Sequence, residues 1–67
     1  MRMILDKDAD ATYIYFKEIS KGEVDRTICL NDSISFDLDS EGQTLGIEII
    51  NASKNLPVSA FSTGVVA

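Results

Sequence analysis

The sequence predicts a mainly β domain, α+β with one short helix: an antiparallel meander of about five strands followed by a single helical turn near the C-terminus. Three observations predict it. Apolar side chains alternate with polar ones at a period close to two through most of the chain, the spacing of strands with one buried face. Clusters of Asp, Asn, Ser, Lys and Gly interrupt that alternation at residues 6–10, 20–22, 31–33 and 40–42, where such side chains and glycine close turns. Helical spacing is nearly missing, and the one proline, Pro57, follows the only segment with a helix start. At 67 residues the chain holds one domain, read as a sheet unit with its short terminal helix over residues 1–57 and a tail over residues 58–67.

The first strand is expected over residues 2–5 and stops at the acidic run Asp6, Lys7, Asp8, Ala9, Asp10, whose carboxylates favour a turn by accepting nearby backbone amides. A second runs over residues 11–17. Thr12, Tyr13, Ile14, Tyr15 and Phe16 are β-branched or aromatic without a break, so this strand offers packing surface on both sides and is expected to be a central strand. The third, over residues 24–30, sets Val24, Arg26, Ile28 and Leu30 on one face and Asp25, Thr27 and Cys29 on the other. Arg26 on the more apolar face fits an edge strand, where its stem packs and its head reaches water. The cleanest alternation follows, with Ile34, Phe36 and Leu38 inward and Ser35, Asp37 and Asp39 outward. Gly42 then takes the positive φ of a tight hairpin loop. The fifth strand, residues 44–50, turns Leu45, Ile47 and Ile49 to the core and Gly46, Glu48 and Ile50 away from it. Asn51 is a helix cap, residues 52–56 make about one helical turn, and Pro57 ends it. In the tail, Phe61, Val65 and Val66 suit an added edge strand, a cover for one sheet face or a frayed end.

Composition narrows function by exclusion. There is no histidine, hence no Ser-His or Cys-His nucleophile and none of the commonest metal ligand. The lone Cys29 closes no disulfide within the chain and supplies no multi-thiolate zinc or iron–sulfur site, which suits a reducing compartment. Between an apolar cysteine and a reactive one, the reading is a packed small hydrophobe, since Arg26 points to the other face. Residues 1–6 contain no signal-peptide core and no stretch approaches a membrane span, so the expected location is the cytoplasm, with no membrane partner. The net charge is −5, and residues 27–67 carry Lys54 alone against Asp32, Asp37, Asp39, Glu41 and Glu48. That field repels nucleic acid and attracts a small basic protein.

Two acidic patterns invite a metal reading. Asp37, Asp39, Glu41, Gly42 and Glu48 match the donor spacing of a calcium-binding helix–loop–helix loop. Glu stands at loop position five, however, the polar Thr44 at position eight, and the flanks alternate as strands, so a hairpin that carries Glu48 away from Asp37 is the expected structure. Asp6, Asp8 and Asp10 repeat the first half of such a loop with Ala11 in place of glycine, and read as a solvated turn. As paired catalytic carboxylates they lack a cleft, because so short a chain leaves little volume to enclose a sugar. No catalytic residue, cofactor or metal ligand is therefore assigned, and the protein is read as a non-enzyme.

Ordering so short a chain costs on the order of 1.5 kcal/mol per residue, which a single small core barely offsets. With no disulfide or evident metal to reinforce it, the sheet is expected to complete its core as a homodimer. Tyr13 and Tyr15, on one face beside Ala11, are the first candidates for an interface.

The segments Asp8-Ala9-Asp10-Ala11-Thr12-Tyr13-Ile14, Ile34-Ser35-Phe36-Asp37-Leu38-Asp39, Gly42, and Gly46-Ile47-Glu48-Ile49-Ile50-Asn51-Ala52-Ser53 resemble the small bacterial and archaeal proteins called the domain of unknown function 2283 family. The likeness runs from about Met1 to Leu56 and is most specific over residues 46–53; Thr12 departs from the large aliphatic residue usual after the Asp-Ala pair. The resemblance implies a small β-rich domain and carries over no catalytic residue. Members are often encoded beside small toxin-like proteins, which implies an antitoxin-like role that an acidic chain would suit. It also gives Gly46 the reading of a site of close approach by another backbone or ring, and Glu48 that of a pairing site for a cross-strand or partner cation. The candidate interface is thus Tyr13, Tyr15, Gly46, Glu48 and Ile50, with a small-ligand or divalent-cation site in the acidic turns as the alternative.

Overall fold

The structure, a computed structural model, describes residues 1–61. Five antiparallel strands form as expected: β1 Arg2–Asp6, β2 Ala11–Tyr15, β3 Arg26–Cys29, β4 Ile34–Leu38 and β5 Thr44–Ile50. The helical turn α1, Ala52–Asn55, and a 3-10 turn, Val58–Phe61, follow. Val65 and Val66, two of the tail residues considered above, lie outside the described residues. No helix among the described residues is long and apolar enough to cross a membrane.

Each hairpin is closed by one Asp or Asn side chain that accepts two backbone N–H groups, so the turn chemistry read from composition is literal here. Asp6 Oδ1 accepts from Asp8 and Ala9 at 3.1 and 3.2 Å. Asn31 Oδ1 accepts from Ser33 and Ile34 at 2.8 and 2.9 Å. Asp39 Oδ1 accepts from Glu41 and Gln43, both at 2.9 Å, around Gly42 at φ 82°.

The strand order is β1-β2-β5-β4-β3, which departs from a consecutive meander at one place. Neighbours in sequence pair at β1–β2, β3–β4 and β4–β5, but β2 pairs with β5 and β3 is sent to the far edge. The connection over residues 16–25 makes this possible by bridging the ends of the middle strands: Phe16 N–H donates to Leu45 C=O and Asp25 N–H to Leu38 C=O. Within it, Lys17 pairs with Glu23, whose other oxygen accepts from Ser20 N–H. Those bonds, to Lys17 first and Ser20 second, hold the Glu23 carboxyl below its ordinary range. The rearrangement has a physical reason. β5 is the longest strand and buries Leu45, Gly46 and Ile49, so it gains most from two neighbours, whereas β3 is the shortest, and all four of its residues are exposed. Arg26 sits at that edge, as its composition required.

The helix cap also differs from expectation. Asn51 occupies the cap position at φ 52° but makes no side-chain cap bond. Asp10, itself at φ 51°, takes the role from across the fold: its carboxylate accepts Ser53 N–H at 3.0 Å and Ser53 O–H at 2.7 Å, and its carbonyl accepts Ala52 N–H at 2.8 Å. The β1–β2 turn and α1 are thereby one unit, joined through two of the segments that carry the family resemblance.

Register and alternation assign the strand residues to two faces, with an irregularity in the β4–β5 register between Asp37 and Leu38, where Leu38 pairs with Thr44. One face bears Met3, Leu5, Thr12, Ile14, Arg26, Ile28, Ile34, Phe36, Leu38, Leu45, Ile47 and Ile49. It holds the buried residues Thr12, Leu38, Leu45 and Ile49, yet its central row, Ile14–Ile47–Phe36, is only half-buried. Thr12, 2 % exposed, has a hydroxyl with no hydrogen-bond partner among the described residues. All three strand carboxylates, Asp6, Asp37 and Glu48, lie on the opposite face.

Candidate functional site: the tyrosine and carboxylate face

On that opposite face Ile4, Tyr13, Glu48, Ser35 and Cys29 form one row across the sheet, and Arg2, Tyr15, Gly46, Asp37 and Thr27 the next. Tyr13 crosses between rows. Its ring leans over Gly46, where an added Cβ would fall within 2.7 Å of three atoms at the far end of the tyrosine. Gly46 is therefore needed for close approach, since its φ is not positive. Beyond the glycine, the Tyr13 phenol donates to Asp37 Oδ2 at 2.5 Å, and the Thr27 hydroxyl donates to Asp37 Oδ1 at 2.6 Å. One polar chain thus ties β2 over β5 to β4 and β3. Burial, and then donation to an anionic acceptor, push the Tyr13 phenol well above its ordinary pKa.

Tyr15 continues the platform. Its ring centroid lies 4.5 Å from that of Tyr13, tilted by 52°, and the Arg2 guanidinium sits 4.6 Å from the Tyr15 centroid. A cation already rests on the Tyr15 ring of this pair.

Glu48 pairs directly opposite Tyr13 and Ser35. The expectation that an extended β5 carries Glu48 away from Asp37 is corrected here: the hairpin folds β5 back on β4, so the two carboxylates become diagonal neighbours on one face. They do not form a cage, because Asp37 is bonded to Tyr13 and Thr27 and Asp39 to its own turn. Glu48 is exposed and forms no hydrogen bond or ion pair with any described residue. Beside it, a shallow depression of about 270 Å³ is lined by Ile4, Asp6, Ala11, Tyr13, Tyr15 and Glu48, among others.

The acidic turns are occupied structurally. Asp6 nucleates its turn and Asp10 caps α1, and among the described residues no three His, Cys, Asp or Glu side chains are grouped as a metal site needs. Cys29, read as a packed residue, is instead exposed, because β3 is an edge strand whose four residues are all open to solvent.

All five candidate interface residues, Tyr13, Tyr15, Gly46, Glu48 and Ile50, share this face, with Ile50 opposite Ala11 at its end. Arg2, Thr27 and Asp37 were missed. Alternation alone sets Asp37 outward, and the signal that marks it is Gly46: an outward glycine in a β-branched strand announces a ring from a neighbouring strand, and a tyrosine ring ends in a donor that needs an acceptor.

No curated protein matches the chain, and no solved structure does. A family model described as Protein of unknown function (DUF2283) matches residues 2–53, which takes in all five strands and the Asp10–Ser53 junction, and the chain belongs to that family.

Proposed function

We propose that this protein is a non-enzymatic interaction module that works as a homodimer in the cytoplasm and presents its carboxylate-bearing face to a basic partner protein, in the manner of an antitoxin. The observation that carries the reading is the half-buried row Ile14–Ile47–Phe36 at the centre of the apolar face. In a sheet whose face is covered, the middle residue of the middle strand is the first to be sealed. A second copy fits this surface on two counts. It brings the same apolar face, so two sheets stacked about 10 Å apart make the two-layer core that a single sheet lacks. The strands put no carboxylate on this face, and its one charged side chain, Arg26, stands at the exposed β3 edge, so two chains of net charge −5 meet there without opposing carboxylates.

Light scattering after size exclusion at micromolar concentration is expected to give about twice the 7.3 kDa chain mass. Ile28→Glu, on the exposed edge of the apolar face at 48 % exposure, is expected to leave the fold intact by circular dichroism and return the protein to one chain. A single 7.3 kDa species for the wild-type chain refutes the dimer.

A further inference from the structure

We infer that the depression between Tyr13, Glu48 and Asp6 seats a long basic side chain, arginine or lysine, projected by a partner protein; this rests on the reading of the chain as an interaction module. The chemistry is graded along the site. Ala11 and Ile4 offer an apolar floor for a methylene stem, the Tyr13 and Tyr15 rings a wall, and Glu48 and Asp6 a carboxylate at either side. None of the lining residues is cationic. Glu48 is free of partners among the described residues, and Asp6 uses only one oxygen in its turn. The Tyr13 ring cannot swing out to close the site, because its phenol is anchored on Asp37 across Gly46.

The adjoining ring shows the mode of binding within the chain itself, since Arg2 lies 4.6 Å from the centroid of Tyr15. The same pair of tyrosines therefore has one cation of its own and, on the Glu48 side, a carboxylate without one. Aromatic faces attract guanidinium and ammonium groups through the ring quadrupole, and a flanking carboxylate adds a charge-assisted hydrogen bond. An acidic or apolar side chain finds neither its charge nor an enclosed pocket here.

The test is a titration of isotope-labelled protein with a short peptide alternating arginine and serine, followed by amide chemical shifts, with a glutamate–serine peptide as control. Shifts are expected at Ile4, Ala11, Tyr13, Tyr15 and Glu48 with the basic peptide only. Glu48→Gln is expected to weaken binding at least fivefold, whereas Glu41→Gln, which removes the same charge from the β4–β5 turn, leaves it unchanged. Equal weakening by both variants means diffuse attraction to an acidic chain and overturns the seat, as do shifts centred elsewhere or none at millimolar peptide. A dimer that ignores the basic peptide sinks this inference while leaving the apolar-face reading standing.

Discussion

The two faces of this sheet share the same backbone and differ in how their side chains hold it together. On the apolar face, isoleucine, leucine and phenylalanine stand over their own positions, and the non-directional burial that joins them is incomplete at the centre. On the tyrosine face, few residues are apolar, yet Tyr13, Asp37 and Thr27 link three strands through directed bonds that cross the fourth at a glycine. Apolar packing tolerates a changed partner surface and suits association, whereas a hydrogen-bonded chain of fixed length holds a binding geometry. The proposed division of labour, self-association on one side and recognition on the other, rests on that difference.

The sharpest way to break that contrast is Gly46→Ala. The new Cβ displaces the Tyr13 ring and with it the bond to Asp37, and the expected loss is about 3 kcal/mol in urea unfolding from overpacking and an orphaned acceptor together. Adding Tyr13→Ala to that variant should recover part of the loss, a coupling that a double-mutant cycle measures. A Gly46→Ala protein as stable as the parent means the ring is not held where it lies.

Asp37→Asn tests the polar chain more gently, since the amide keeps one acceptor. The expected cost is about 1.5 kcal/mol for weakened charge-assisted bonds. The Tyr13 phenol should also titrate closer to its ordinary 10.0, read by ultraviolet absorbance. The sign of the pH dependence follows from the raised pKa. The folded state keeps a proton that the unfolded chain releases near pH 10, so this contribution is full below that pH and fades as pH rises above it. Asp37→Asn should flatten that alkaline decline.

The smallest effect has the opposite sign and sharpens the apolar side. Thr12→Val replaces a buried hydroxyl that has no partner among the described residues with a methyl of the same shape, and stability should rise by about 1 kcal/mol. A loss on thermal melting would mean that the hydroxyl is satisfied after all.

The legibility of this fold in its sequence follows the range of the forces involved. The Asp6, Asn31 and Asp39 turns were readable because each closes within a few residues, and strand faces were readable because the pleat alternates strictly. The candidate interface residues could be gathered on one face by the same alternation. Its working bonds could not, because Tyr13 reaches Asp37 by leaning diagonally over a strand that arrives thirty-odd residues later in the chain. The exposed Cys29 and the missing Asn51 cap have one cause. Both depend on which strand lies beside which, and local preference is silent on that.

By itself, then, the sequence determined the five strands, their turns, their inward and outward sets and the acidity of the whole, all consequences of backbone sterics and side-chain type at short range. Only the tertiary structure decided that β5 inserts beside β2, that Asp10 caps α1, and that Glu48 returns to the neighbourhood of Asp37. The physical reason is that strand order is chosen by competition among whole surfaces. The longest strand with packing surface on both sides takes the middle, and no window of neighbouring residues carries that comparison.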